Sequence, residues 1–276
     1  MPIVTANGIA QHYATMGPIG DPDAPIAVLI HGVLIDSLAS YYFTLAKPFA
    51  DAGVGTLMYD LRGHGKTAKP PSGYAMSDYA QDLIALLDEL DITRPAFLLG
   101  NSFGGSLALY VAARYPERVA GVVMIEAEAP TAEWGERLRN VFGESSKHLS
   151  RREVIPWIRM RYGRHLAKQA KAAIDTLNST RIEQEMPYGS MLSMDELAAL
   201  RCPVLAIYAG DWNIKAEQPL LVTWLTDCTT EIIEGQDHSV LVSIPSTVCE
   251  LVLPWMTARR GAVGAGSAVT GAADDT

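Results

Sequence analysis

The sequence predicts an α/β fold in which a mostly parallel central sheet is flanked by helices and carries an inserted helical cap domain. Short apolar runs typical of buried strands alternate with segments whose apolar residues recur at helical spacing. That alternation stops between residues 127 and 199 and then resumes. The chain has 276 residues, of which 49% are hydrophobic, so it is long enough to bury one large core.

The predicted elements follow one another along the chain. Four strands are predicted in the first half, at residues 26–30, 54–59, 95–99 and 119–125. Two helices are predicted there, at 77–90 and 103–115. After the insertion come strands at 203–208 and 230–233 and helices near 218–225 and 246–256. These elements predict a core made of residues 1–126 and 200–259, a helical cap at 127–199, and a disordered, Gly- and Ala-rich tail at 260–276.

Composition excludes several classes of protein. A net charge of −9, from 22 basic and 31 acidic residues, argues against a nucleic-acid partner. Three cysteines, none in a C-x-x-C pair, predict neither a disulfide framework nor a zinc site of that type. The start MPIVTANG has no signal-peptide pattern, and no apolar run of about 18 residues is present to span a membrane. We therefore expect a soluble cytoplasmic protein without a membrane partner.

The strongest local motif is Gly100-Asn101-Ser102-Phe103-Gly104, a G-x-S-x-G between a predicted strand and a predicted helix. The glycines permit a sharp turn that holds Ser102 in a strained conformation and exposes its hydroxyl at the carboxyl edge of the sheet. The helix N-terminus then lies beneath any negative charge that develops there. The alternative interpretation is a Gly-rich turn that happens to contain a serine.

Two further segments complete a nucleophilic site. His31 and Gly32 follow the strand at 26–30, and that loop places the N–H of Val33, with that of Phe103, as an oxyanion hole. The His31 side chain itself is interpreted as structural. Among six histidines, His238 follows the last predicted strand and is the candidate base; the alternative is an ordinary surface histidine.

Together these motifs resemble the α/β-hydrolase fold superfamily, from about residue 9 to residue 256. The matching segments are His31-Gly32, Asp60-Leu61-Arg62-Gly63-His64-Gly65, Gly100-Asn101-Ser102-Phe103-Gly104-Gly105, Tyr115-Pro116-Glu117-Arg118-Val119 and Asp237-His238. The resemblance implies a serine hydrolase with a helical lid, but it does not identify the substrate, because this fold hosts many chemistries.

The acid that would orient the candidate base His238 departs from the superfamily's usual pattern. The usual Asp follows the strand at 203–208, where this chain has Trp212 or Asn213 at the expected position and Asp211 out of register. Glu126, at the end of the strand beside the nucleophile strand, is the preferred candidate. This position resembles the acid of one subgroup of haloalkane dehalogenases and of the fungal lactone hydrolase that opens zearalenone. Asp211, Glu128 or the absence of any acid remain alternatives.

The insertion at 127–199 occupies the place of a lid and is expected to cover Ser102. The candidate substrate-binding residues are Gly32, Trp134, Trp157, Tyr188 and Met191. Residues 147–171 of the lid carry eight basic residues and a single acidic one. On the helix predicted there, Arg161, Arg164, Lys168 and Lys171 share one face, opposite an apolar face that includes Tyr162. This basic face is either a solvated helix surface or a docking site for an acidic carrier domain or for coenzyme A phosphates.

The leading functional hypothesis is a serine esterase or lactonase that acts on a small, largely apolar substrate through an acyl-enzyme and needs no cofactor or metal. The alternatives are a thioesterase or acyl-transferring cyclase of secondary metabolism, a carbon–carbon bond hydrolase, and a non-catalytic ligand-binding protein. The carbon–carbon hydrolases that share the Gly100-Asn101-Ser102 motif have Trp after the catalytic His, whereas Ser239 follows His238 here. Either a monomer or a homodimer is compatible with the sequence.

Overall fold

The computed structural model describes residues 2–149, 153–211 and 216–263, and it gives the backbone alone at residues 144–149, 165 and 260–263. Eight strands form one sheet in the order β1-β2-β4-β3-β5-β6-β7-β8. Strands β1 and β2 pair antiparallel, as do β2 and β4, and the other neighbours run parallel. This architecture confirms the predicted fold class. The strands are β1 (Ile3–Ala6), β2 (Ile9–Met16), β3 (Ile26–Ile30), β4 (Gly55–Tyr59), β5 (Ala96–Asn101), β6 (Val119–Ile125), β7 (Val204–Ala209) and β8 (Cys228–Ile233).

Helices cover both faces of the sheet. Successive side chains along a strand point to opposite faces and pack into two separate hydrophobic cores. The helices of the sheet region are α1 (Ala39–Tyr42), α2 (Ala46–Asp51), α3 (Met76–Glu89), α4 (Phe103–Arg114), α9 (Gln218–Trp224), α10 (Val240–Ser243) and α11 (Pro245–Val263). On β3, Val28 packs into the core beneath α3 and α4, whereas Leu29 packs into the core beneath α1, α2 and α11.

The sequence did not predict the hairpin formed by β1 and β2. Its turn is formed by Asn7 and Gly8, both with positive φ, of 49° and 72°. An Asn-Gly pair is the preferred turn for a two-residue hairpin, because both positions require the left-handed region. The hairpin extends the sheet on the side away from β6 and β7.

The segment between β6 and β7 is helical wherever it has regular structure in the described ranges. It contains α5 (Ala132–Leu149), α6 (Val154–Ser179), α7 (Ile182–Glu185) and α8 (Met194–Ala198). Helix α6 is kinked at Gly163, whose φ and ψ are 92° and 175°. The two halves of α6 therefore do not share the single apolar face that was predicted, and Tyr162, assigned to that face, is exposed.

The C-terminal helix is longer than predicted. Helix α11 continues to Val263, into the segment predicted as a disordered tail, and residues 264–276 lie outside the described part of the chain. Among the described residues, no helix combines the length and the apolar character that crossing a bilayer requires.

Candidate active site

Ser102 lies in the tight turn between β5 and α4, with φ of 53° and ψ of −123°. Its N–H donates to the carbonyl oxygen of Ile125, 2.8 Å away, which ties the turn to the end of β6. A Cβ on Gly104 would overlap the carbonyl oxygen of Ile30, and one on Gly100 would overlap the backbone of Gly104. Glycine is therefore required on both sides of Ser102 for the backbone to pass this closely.

The loop after β3 lies directly against Ser102. A Cβ built on Gly32 would stand 3.6 Å from the Cβ of Ser102. The Gly32 N–H donates to Asp36 Oδ2 at 2.8 Å, and the Leu34 N–H donates to His64 Nε2 at 2.8 Å. The N–H of Val33, between them, has no acceptor among the described residues. Phe103 is the first residue of α4, so its N–H has no partner within the helix.

Asp36 holds the loop in this conformation, and the sequence analysis did not identify it. One carboxylate oxygen accepts from the Gly32 N–H, and the other accepts from the Ser37 N–H at 2.8 Å and from the Ser40 hydroxyl. An Asp four residues after Gly32 is a local signal for such a side-chain-to-backbone contact. Asp36 thus positions the candidate oxyanion donor without touching the reacting atoms.

His31 and His64 both hold the backbone near the oxyanion loop, and the sequence predicted a structural role for the His31 side chain. His31 Nε2 accepts from the Leu61 N–H at 3.0 Å, and its Nδ1 lies 2.6 Å from the Gly32 carbonyl oxygen. His64 Nε2 accepts from Leu34, and burial lowers the pKa of its imidazole to about 3. His64 is therefore neutral at physiological pH, and it serves to hold the oxyanion loop.

Glu126 stands at the tip of β6, one strand from Ser102. It is fully buried, has a φ of 53°, and donates its N–H to the Ile207 carbonyl oxygen at 2.9 Å. One of its side-chain oxygens, Oε1, accepts from the Ala209 N–H. The other, Oε2, lies 3.1 Å from His238 Nδ1. This arrangement favours the imidazole tautomer with the proton on Nδ1, which leaves Nε2 able to accept a proton.

The alternative acids occupy different surroundings. Asp211 is exposed, its N–H donates to the Gln236 carbonyl oxygen at 3.0 Å, and its carboxylate has no hydrogen-bond or ion-pair partner in the described ranges. Glu128 forms an ion pair with Arg137 of α5. The neighbouring positions 212 and 213 lie outside the described residues.

The candidate pocket residues in the helical segment between β6 and β7 fall into two groups. Trp134 is buried and stacks on Phe103, with ring centroids 6.2 Å apart, and Met191 is half-buried against the same core. Trp157 is 51% exposed and contacts the Tyr162 ring, and Tyr188 is 63% exposed beneath the guanidinium of Arg139. The structure thus brings Trp134 to the nucleophile helix, while Trp157 and Tyr188 face solvent.

The described residues contain no cluster of three or more His, Cys, Asp or Glu side chains arranged to hold a metal ion. The candidate constellation consists of the Ser102 turn, the His238–Glu126 pair and the N–H groups of Val33 and Phe103.

Comparisons with known proteins show the family to which this fold belongs. A family model described as the alpha/beta hydrolase fold matches residues 25–227. The non-heme chloroperoxidase of Streptomyces lividans is 41% identical over 129 residues, which cover 46% of this chain and 45% of that protein. The 3-oxoadipate enol-lactonase 2 of Acinetobacter baylyi is 29% identical over 157 residues, which cover 56% of each chain. The match thus spans about half the length of these curated relatives.

Similarity also extends to solved structures. The enol-lactonase from Burkholderia xenovorans LB400 superposes with a TM-score of 0.73 over 93% of this chain and 100% of that one, at 20% sequence identity. At that identity the superposition shows a shared fold and nothing about the substrate.

Proposed function

The chain belongs to the α/β-hydrolase fold family, and on that premise we propose that it is a serine hydrolase that cleaves a carboxylic ester or a lactone through an acyl-enzyme. The observation that carries this proposal is the distance of 3.1 Å between His238 Nδ1 and Glu126 Oε2. Glu126 follows β6, which pairs with β5, the strand that leads to Ser102. A buried carboxylate, an imidazole and a strained serine at one sheet edge are the parts that acyl transfer requires.

The proposed reaction begins when Ser102 Oγ attacks the carbonyl carbon while His238 Nε2 accepts the hydroxyl proton. Glu126 stabilises the imidazolium that forms, because its Oε2 faces the Nδ1 side of the ring. The N–H groups of Val33 and Phe103 donate to the oxyanion of the tetrahedral intermediate, and such a donor is worth about 3–4 kcal/mol of transition-state stabilisation.

The intermediate collapses when the imidazolium protonates the leaving alkoxide, which breaks the ester bond and leaves an acyl group on Ser102. Water then attacks the acyl carbon and gives its proton to His238 Nε2. Collapse of the second intermediate releases the carboxylic acid and returns the proton to Ser102. For a lactone, acid and alcohol leave as one opened molecule. This sequence of steps requires neither a metal nor an organic cofactor.

The relatives include a protein of lactone chemistry, which supports ester or lactone hydrolysis. The relative from Acinetobacter baylyi is named an enol-lactonase. Trp134, buried beside Phe103, supports a substrate site with an apolar wall at the cap. A thioester substrate on an acidic carrier domain remains the alternative for the basic part of α6.

The test is a panel of p-nitrophenyl esters, simple lactones and acyl-coenzyme A thioesters, assayed with the wild type and with Ser102→Ala. We expect turnover of esters or lactones by the wild type and none by S102A. The matched control is Ser179→Ala, an exposed helical serine whose hydroxyl donates to its own helix backbone. Hydrolysis that survives in S102A, or a wild type active on thioesters alone, would contradict the proposal.

A further inference from the structure

A pocket of about 370 Å³ lies beside the oxyanion loop, between the body and the cap. One wall is the loop that continues from the oxyanion donor, beginning at Leu34. The second is the turn after β4, which contains Gly63 and His64, and the third is the second half of α6. Apolar side chains line part of it, including Leu34, Ile35, Leu38 and Ala172. We call it the lysine pocket, because Lys66, Lys69 and Lys168 stand around it.

The pocket carries three lysines against two carboxylates, Asp36 and Asp60, so its lining has an excess of positive charge. None of them forms an ion pair within the described residues, whereas Lys171, one turn further along α6, pairs with Asp175 at 2.8 Å. All three lysines are exposed, so water solvates their ammonium groups when no ligand is bound.

The two carboxylates at the pocket are already engaged. Asp36 accepts from backbone N–H groups of its own loop. Asp60 accepts from the N–H groups of Leu38 and Lys66, each at 2.9 Å, and lies 2.6 Å from His12 Nδ1. Because these oxygens are held by other donors, the ammonium groups of the lysines remain available to a ligand.

Lys69 is held at the junction of the body and the cap. Its Nζ donates to the Thr176 hydroxyl at 2.9 Å, and that hydroxyl lies 2.9 Å from the Gly63 carbonyl oxygen. A lysine ammonium has three N–H donors, so two remain for a ligand. Lys168 lines the same pocket from α6, so the two lysines belong to different elements of its wall.

The pocket lies within reach of the reacting centre. Gly32 stands against Ser102, and Leu34, in the pocket wall, is two residues further along the loop. Two residues of chain span at most about 7 Å, so this wall of the pocket lies close to the nucleophile. An alkyl chain matches the apolar wall, and an anion matches the lysines at the rim.

We propose that the lysine pocket binds a carboxylate of the substrate, so that the preferred substrates are esters or lactones bearing a carboxylate a few bonds from the scissile carbonyl. This inference rests on the proposed function and names the substrate class of the same site. Coenzyme A is much larger than the pocket, which favours a small carboxylate over a thioester of that coenzyme.

The test compares kcat/KM for mono-p-nitrophenyl adipate and methyl p-nitrophenyl adipate, which share an acyl chain and differ in the charge at its end. For wild type, we expect a preference for the anion of about tenfold at low ionic strength, since the lysines are partly solvated. The preference should shrink as sodium chloride is added. Lys168→Met and Lys69→Met should each lower the ratio, and two variants are used because Lys69 also joins the body to the cap.

Lys171→Met is the matched control, since this lysine is on the same helix but is paired and lies outside the pocket. It should retain the wild-type ratio. Equal turnover of both esters by wild type, or a ratio that K171M lowers as much as K168M does, overturns the inference and leaves the proposed function intact. Failure of wild type to hydrolyse either ester overturns both.

Discussion

Replacing Glu126 with Gln tests the His238–Glu126 pair, because the structure determines which way the new amide must point. The Ala209 N–H donates to Oε1, so the amide oxygen of the glutamine belongs there, and its NH₂ group then faces His238 Nδ1. The opposite orientation would set two donors face to face, at a cost of about 1–3 kcal/mol. Facing an NH₂ group, the imidazole carries its proton on Nε2, where it cannot accept one from Ser102.

We therefore expect E126Q to lower kcat by about 10⁴-fold, or about 5.5 kcal/mol in activation free energy, with the fold intact. The assay is the steady-state hydrolysis of a p-nitrophenyl ester, with circular dichroism to confirm folding. Asp211→Asn is the matched control and should leave kcat unchanged, because that carboxylate is exposed. Near-normal turnover by E126Q together with an inactive D211N would refute the assignment of the acid.

Three further predictions concern the residues that support the site. Asp36→Ala should lower kcat by about 10²-fold with little change in KM, because the loop at Gly32 loses its hydrogen-bond acceptor and the N–H of Val33 moves with it. Asp36→Asn can still accept that hydrogen bond and should retain more activity in the same assay. His64 should lower the free energy of unfolding by about 1.4 kcal/mol per pH unit as pH falls from 6.5 towards 3, because only the unfolded chain binds a proton there. Denaturant titrations at several pH values measure that slope, and an imidazole NMR signal that titrates near 6.5 would contradict it. Arg62→Met should lower the free energy of unfolding by about 3–5 kcal/mol, because Asp82 loses its buried ion-pair partner. The further change Asp82→Leu should restore part of that loss. An R62M variant with the unfolding free energy of wild type would refute this prediction.

The parallel part of the fold could be predicted because its signals are local. The fully buried strands are continuous apolar runs, and β3 and β6 begin and end where the sequence predicted. The β1–β2 hairpin was missed because β1 has four residues with an uneven burial pattern, although Asn7-Gly8 between the strands is a usable turn signal. The kink in α6 could not be predicted, since an isolated Gly163 is tolerated inside many helices.

In the candidate site too, features with a local sequence signal could be predicted and features that depend on distant residues could not. Ser102 could be placed from a contiguous motif, whose glycines are needed for close backbone approach. The pairing of Glu126 with His238 joins residues 112 positions apart and was inferred only from strand order and a resemblance. The unpaired state of Lys69 and Lys168 could not be predicted, because it depends on which carboxylates the fold assigns to other donors. The sequence also could not predict that Trp134 is buried while Trp157 and Tyr188 are exposed, because residue type alone does not determine burial.

The most direct test of the central claim is the mass of the protein after reaction with a fluorophosphonate, followed by peptide mapping of the adduct. The account predicts one adduct per chain, located on Ser102, absent from S102A and formed far more slowly in E126Q. No adduct on the wild type, or an adduct that maps to another residue, would contradict a nucleophilic role for Ser102.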